Sequence, residues 1–334
     1  MIAVGLYETP PPRALTYLGP ESQYFQLSPS LRFRNVTSIR RRFNGMHCTE
    51  TLNLVITPTS QILLPVLALA VPNSKLILDL GWPMSDQVGI SRKVNALIKR
   101  IKNHIVDFTA MQISDLLIVE TNTQVQRIRK KFWVRKKKIK RVYTGLNESI
   151  WNVEPKRINL VAPFLNDSDK IVLLFRGKYN KESGIEKILQ FASNLNDNFR
   201  VIIATDKLPR GNFHLSNTIV LEGFLEYSEL AYLYSIADLC LGQLSTDPRT
   251  ANTLPHKYAE SGFFGKPYLS FEYPPLQEEG PNGGLIAIKN IADVSEVLRQ
   301  ESKSTLSTKG KLNREYYEKH LSQKVVIAAM EELF

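Results

Sequence analysis

The sequence is short of cysteine, of long apolar runs and, in one half, of acidic residues, and each shortage removes a class of structure or function. Its 334 residues include two cysteines, Cys48 and Cys240, far apart and without metal-ligand spacing. Neither a disulfide framework nor a zinc site is expected, which fits a reducing, cytoplasmic compartment. Met1 to Leu6 carries no basic residue, and Pro10 to Pro12 arrive before a signal-peptide core could form. The longest apolar stretch, Leu54 to Pro72, is broken by Pro58, Ser60, Gln61 and Pro65. It reads as a strand followed by a soluble helix rather than a membrane span. Residues 1–157 hold 24 Lys and Arg against 10 Asp and Glu, whereas residues 158–334 hold 19 against 22. The net charge of +11 therefore comes entirely from the N-terminal half. It peaks between Arg127 and Arg141, where ten of fifteen residues are basic and none is acidic. Such a surface attracts anionic lipid headgroups, nucleic acid or anionic substrates.

What the sequence has is alternation: a short apolar run, a turn, then a helical period. This is the pattern of α/β folds with mostly parallel sheets. Strands are expected at Ile2–Tyr7, Leu52–Thr57, Lys75–Leu80, Asp115–Glu120 and Ile139–Thr144, with helices at Ser91–Met111 and Thr123–Phe132. A polar, proline-containing stretch from Gly145 to about Asp169 reads as a linker. The alternation then restarts, with strands at Ile171–Phe175, Arg200–Ala204, Thr218–Leu221, Leu239–Gly242 and Pro267–Phe271. Helices are expected at Gly184–Leu195, Ser228–Ile236 and Leu254–Phe264, and a last long one at Arg314–Leu333. The implied architecture is two Rossmann-like doubly wound domains facing a cleft, residues 1–157 and 158–313. Residues 314–334 form a final helix that crosses back to the first domain.

Two segments carry the chemistry. Leu174-Phe-Arg-Gly-Lys-Tyr-Asn-Lys-Glu-Ser-Gly-Ile-Glu joins a strand to a helix through a basic, glycine-containing loop. Ser183 and Glu186 have capping-box spacing, which makes Ser183 the expected N-cap. A helix N-terminus flanked by Arg176, Lys178 and Lys181 suits a diphosphate, although a solvated turn can have the same sequence. In the second segment, Thr250 to Pro267, Thr253 is placed to cap a helix whose early Pro255 needs no donor. Glu260 lies about two turns along, where a carboxylate accepts from sugar or ribose hydroxyls, or simply faces solvent. Gly265 ends the helix, and Gly265-Lys266 is not a Walker A loop because proline follows the lysine. Asp167-Ser168-Asp169 falls in the linker, and no metal role is assigned to it.

Between these segments, Val220-Leu-Glu-Gly-Phe-Leu-Glu-Tyr-Ser-Glu-Leu-Ala-Tyr-Leu-Tyr-Ser-Ile-Ala-Asp completes an order that resembles the C-terminal domain of group 1 (family 4) glycosyltransferases of the GT-B fold. The resemblance covers about residues 170–271 and, more weakly, Asp115 to Trp151; residues 10–70 barely share it. It implies transfer of a sugar from a nucleoside-diphosphate donor to a saccharide or lipid-linked acceptor, with retention, without a metal or other cofactor. By this resemblance Lys178 binds the donor diphosphate with Arg176 and Gly177 beside it, and is catalytic together with Glu260, which takes the ribose. Gly223 and Phe224 match the turn that meets the base, and Thr253 and Leu254 offer amides to the phosphate. The family's first motif glutamate is replaced by Asn252, and its second diphosphate cation by Ser183; Lys181 or Lys257 would supply the missing charge. The family's N-terminal Gly-Gly loop is replaced by Tyr7-Glu-Thr-Pro-Pro-Pro-Arg, so its acceptor contacts do not carry over. Thr9, Trp82 and His104 are the candidates on the acceptor side.

The basic N-terminal half suits the same reading. Arg92, Lys93, Lys99, Arg100 and Lys102 share a helix with Leu97, Ile98 and Ile101, and Phe132-Trp133 interrupts the later basic run. Cationic amphipathic helices dock on anionic leaflets, which implies a peripheral place on the inner membrane face. Nothing in the sequence has the form of a nucleic-acid motif. A catalytically silent binding partner built on the same fold is the rival reading, favoured by Asn252 and the absent Gly-Gly loop; a nucleotide-sugar epimerase is disfavoured by Leu254-Pro255-His256-Lys257.

Overall fold

A computed structural model describes residues 2–18, 22–27, 39, 43, 52–87, 94–165, 169–181, 183–208, 215–247 and 250–334. Cys48, Arg92, Lys93, Asp167, Ser168, Pro248 and Arg249 lie outside them. The chain forms two compact units, Met1–Thr144 with Val326–Phe334, and Gly145–Val325.

The first unit is built on a parallel sheet of β1 (Ile2–Gly5), β2 (Gln23–Gln26), β3 (Leu52–Ile56), β4 (Ser74–Asp79), β5 (Leu116–Val119) and β6 (Ile139–Arg141), in the order β2-β1-β3-β4-β5-β6. Runs such as Leu54-Val55-Ile56 and Leu116-Leu117-Ile118-Val119 are buried throughout because helices cover both faces of such a sheet. Around it lie α1 (Pro12–Tyr17), α2 (Leu64–Ala70), α3 (Met84–Gln87), α4 (Val94–Ile113) and α5 (Asn122–Phe132). α5 starts from a full capping box, Thr121 and Gln124 exchanging side-chain and backbone hydrogen bonds.

After β1, the proline-rich turn delivers Arg13 into the core. Its Nε donates to Asp79 Oδ1 at 2.7 Å, and its other nitrogens donate to the Val142 carbonyl and Thr144 Oγ1. Tyr17 donates to the second Asp79 oxygen at 2.8 Å, and Glu120 stands 3.6 Å from the guanidinium. Burial works against the charge on Arg13, but Asp79 and Glu120 outweigh it, and its pKa is raised. One arginine thus ties the carboxyl ends of β4, β5 and β6 together.

The second unit contains β7 (Ile171–Arg176), β8 (Phe199–Thr205), β9 (Thr218–Glu222), β10 (Leu239–Leu241), β11 (Tyr268–Phe271) and β12 (Leu285–Ile288), all parallel, in the order β9-β8-β7-β10-β11-β12. This is the strand order of dinucleotide-binding Rossmann sheets. Its helices are α6 (Ile185–Ala192), α7 (Tyr227–Ile236), α8 (His256–Phe263), α9 (Asp293–Arg299) and α10 (Lys303–His320), followed by α11 (Gln323–Glu331).

The expected single last helix is two. The break falls at Leu321-Ser322, where both amides return to the Tyr317 carbonyl. Glu148 explains it: its Oε1 accepts from the Gln323 amide at 3.0 Å, giving the new helix a partner for an N-terminal N–H, and from Tyr317 at 2.7 Å. Past the break, Val326 and Met330 are buried with Ala14, Val55, Ile77 and Ile118 of the first unit. The stretch read as a linker is also more than that, since Trp151 is buried in the second unit among Tyr227, Tyr234 and Phe264. Strands β2 and β12 and helices α9 and α10 extend the elements expected from sequence, and α10 takes in the first residues of the expected last helix.

Candidate functional site

In the second sheet the strand order reverses between β7 and β10, and such sheets bind ligands beyond the carboxyl ends of the strands at the reversal. Arg176, Gly177 and Lys178 leave β7 there; Gly242, Gln243 and Leu244 leave β10. Lys181 and Gly184, which follow β7, are held down on the exit of β10. A Cβ on Gly184 would lie 2.5 Å from the Leu244 carbonyl oxygen, and its φ of +71° is left-handed, so only glycine fits. Ser245 Oγ donates to the Lys181 carbonyl at 2.5 Å and secures the same contact.

Ser183 is not the N-cap of α6. Gly184 occupies that position, and Ser183 closes a turn on Asn180, donating to its carbonyl at 2.7 Å and accepting from its amide at 3.3 Å. Glu186 is drawn away from a capping box because Tyr179 donates to it at 2.6 Å. Thr253 is not the cap of α8 either. Thr250–Asn252 form a 3-10 turn, and α8 begins at His256 with Pro255 in the N-cap position. The stop at Gly265 is as expected: Gly265 and Lys266 amides return to the Gly262 and Ser261 carbonyls, a Schellman closure.

α8 places Glu260 and Lys257 one turn apart, both toward β7. Glu260 does not face solvent; it is 3% exposed. Arg176 Nη1 lies 3.2 Å from its Oε1, and Tyr234 donates to its Oε2 at 2.5 Å. Glu260 raises the Arg176 pKa against the opposing effect of burial; burial and then Glu260 push the Tyr234 hydroxyl well up. Lys257 Nζ stands 4.1 Å over the Phe175 ring and 3.0 Å from where a Cβ on Gly177 would be. Desolvation, then repulsion from Arg176, pull its pKa down to about 7, with Glu260 partly opposing them. An ammonium held this way, beside a second cation, favours the arrival of an anion.

A pocket of about 150 Å³ opens beside these groups, lined by Arg176, Lys178, Thr205, Asp206, Gly223 and Phe224. That is below the roughly 300–1,000 Å³ of sites enclosing a drug-sized ligand, and fits one portion of one. Gly223 turns the chain with φ of +115° while its amide donates to the Thr205 carbonyl at 2.8 Å. Phe224 is left 83% exposed, with Lys178 Nζ 5.9 Å over its ring. The ring thus presents an apolar face at the rim of the pocket.

No protein-family model matches the sequence, and no curated protein matches it. Solved structures do match. The crystal structure of HepE (Alr3699) from Anabaena in complex with UDP superposes with a TM-score of 0.74 over 99% of this chain and 98% of that one, at 12% identity. A glycosyltransferase from Rickettsia africae gives 0.69 over 99% and 97%, at 11% identity. The E. coli trehalose-6-phosphate structure bound with UDP-2-fluoro glucose gives 0.66 over 99% and 97%, at 10% identity. The chain has the GT-B fold. At these identities the likeness is one of fold, and the residues must be judged on their own geometry.

On the C-terminal half of the GT-B fold, the structure gathers Arg176, Gly177, Lys257 and Glu260 in one place, with Lys178, Gly223 and Phe224 around the adjoining pocket. Lys181 is exposed, and of its groups the carbonyl is the one in the contact with Ser245. Asn252 is partly exposed, Leu254 is buried, and the Thr253 amide turns toward the Thr250 carbonyl at 3.5 Å. On the N-terminal half, Thr9 follows β1 and Trp82 follows β4, both at the carboxyl edge of the sheet, where Gln61 donates to the Trp82 carbonyl at 3.2 Å. His104 lies on α4 between Asn103, which donates to the Met84 carbonyl at 3.1 Å, and Asp107, which accepts from the Met84 and Ser85 amides. His104 stacks on Phe132, the last residue of α5, at 4.9 Å between ring centroids. Among residues missed from sequence, Tyr234 and Trp151 support Arg176 and Glu260, and Asp206 holds the basic loop by accepting from the Tyr179 amide at 2.6 Å. Tyr234 sits in the Tyr-x-x-Ala-Asp pattern, which was the available signal.

Proposed function

We propose that this protein transfers a sugar from a nucleoside-diphosphate donor to a saccharide or lipid-linked acceptor presented at an anionic membrane surface. The carrying observation is the cluster at the β7 exit, where Arg176, Lys178 and Lys257 surround the Gly177 backbone with Glu260 buried behind them. Loss of a nucleoside diphosphate needs positive charge already in place at the departing oxygens, and these side chains with the start of α6 supply it without a metal. Gly223 and Phe224 receive the base and Glu260 the ribose, Arg176 shifting toward the diphosphate as the ribose hydroxyls arrive. The reaction proceeds with retention, the leaving phosphate taking the acceptor proton. Uridine donors are the first to test, because HepE is seen with UDP and UDP-glucose.

The test is thermal stabilisation by nucleoside mono- and diphosphates and their sugars, on wild type and Glu260→Gln. One diphosphate should stabilise the wild type strongly and the variant far less. Phe224→Ala should weaken nucleoside diphosphates about tenfold and leave inorganic pyrophosphate unaffected, as loss of a base-stacking ring does. No stabilisation by any nucleotide would refute the donor site. The rival, a catalytically silent binding protein, is favoured by Asn252 in place of the first motif glutamate. Slow donor hydrolysis without acceptor separates the two, since only an enzyme shows it.

A further inference from the structure

α4 is an amphipathic helix turned the unusual way round. Its buried residues are Asp107, Ala110 and Met111, and the Asp107 carboxylate accepts from the Met84 and Ser85 amides at 3.0 and 2.8 Å. Its apolar stripe faces outward. Val94, Leu97, Ile98, Ile101 and Ile105 recur every three or four residues and are each 53–70% exposed. Taken at about 100° per residue, the stripe is centred opposite the side that carries Ala110, with Asp107 about 135° away from it. Soluble helices bury that stripe, so five large aliphatics in a row in water need a second explanation.

The stripe continues past the helix. Phe108 meets Trp133 edge to face at 6.3 Å, and Trp133, in a left-handed conformation at φ of +51°, is 79% exposed. Its neighbour Phe132 is fully buried, so the structure separates the pair and leaves only the indole outside. From Val94 to Phe108 the ridge is about 20 Å long. Its flanks are cationic: Lys99 and Lys102 on one side, Arg100 on the other, with Arg135, Lys136 and Lys137 following Trp133, all exposed. No acidic residue occurs from Val94 to Val106, nor from Thr121 to Asn147.

We infer that this ridge is a docking surface for an anionic bilayer, the aliphatics and Trp133 entering the headgroup boundary while the basic flanks meet the lipid charges. An aliphatic ridge bordered by Lys and Arg with an indole at its end is the composition of interfacial helices. A second copy of the chain is the poorer occupant, because both copies would bring the same positive flanks into contact. The inference rests on the membrane-presented acceptor of the proposed function but not on its donor chemistry.

The experiment is co-sedimentation with vesicles of phosphatidylcholine alone and of phosphatidylcholine with phosphatidylglycerol. The wild type should sediment with the anionic vesicles, weaken as salt is raised, and shift its tryptophan emission to the blue. Trp133→Phe should remove most of that shift. Ile98→Ser/Ile101→Ser/Ile105→Ser, all at exposed positions, should partition at least about tenfold more weakly with an unchanged melting temperature and unchanged nucleotide stabilisation. Absence of vesicle binding by the wild type, equal binding by the triple variant, or a dimer that the triple variant dissolves would each overturn the inference. Vesicle binding without any nucleotide binding would leave it standing and refute the donor site instead.

Discussion

The two units each contain an arginine, a carboxylate and a tyrosine at the carboxyl ends of a parallel sheet, and they use them differently. In the first, Arg13 and Tyr17 bracket Asp79 at 2.7 and 2.8 Å. In the second, Arg176 and Tyr234 bracket Glu260 at 3.2 and 2.5 Å. The Arg13 side chain is 9% exposed and spends its donors on Asp79, Val142 and Thr144; that of Arg176 is 31% exposed and has one carboxylate. Lys257 and Lys178 stand beside the second cluster, and a pocket opens on it. The same three groups make a staple when all donors are satisfied internally and a candidate anion site when charge is left facing water. Residue types do not distinguish the two; saturation and access do.

The comparison breaks most sharply at Arg13. Arg13→Met leaves Asp79 and Glu120 buried without their cation, and urea unfolding should show a loss of about 3–5 kcal/mol. Nucleotide affinity of the folded variant should be unchanged. Arg176→Met should do the reverse. With Lys257 still near Glu260, its unfolding free energy should fall by only about 1–2 kcal/mol. Titration calorimetry should show nucleoside-diphosphate affinity reduced about tenfold or more, as for a lost hydrogen bond between charged groups. Equal stability losses in the two variants would erase the distinction.

A pH-linked effect sharpens it. Lys257 has a native pKa near 7 against an ordinary value of 10.5, so between these pH values the unfolded chain holds a proton that the native state has released. Stability should therefore rise as pH increases from about 7 toward 10, and the rise should be missing in Lys257→Met. A bound diphosphate restores the ammonium, so binding should take up a proton and weaken as pH rises above about 7. Calorimetry in buffers of different ionisation heat reads that proton directly.

Much of this was legible in the residues because it depends on local chemistry. Continuous Val, Ile and Leu runs separated by helical periods led to two parallel sheets, and the basic loop after β7 and Glu260 were visible as motifs. The caps were misassigned for reasons that act over longer distances. Ser183 has the right spacing, but Asn180 and Tyr179 take the groups a capping box needs, and Leu244 forces glycine into the N-cap position. The outward stripe of α4 shows the limit best: its period gave the helix, and the period is the same whether the stripe faces a core or water.

By itself the sequence determined the α/β class, the placement of charge in the first half and the identity of the basic and acidic groups that the fold gathers at the β7 exit. All of these follow from composition and spacing along the chain. Only the tertiary structure decided which arginine is sealed and which is open, that Glu260 is buried, that the last helix breaks on Glu148, and which way the apolar face of α4 points. Those outcomes depend on groups distant in the chain competing for the same hydrogen bonds and the same interior space, and no local pattern encodes who wins.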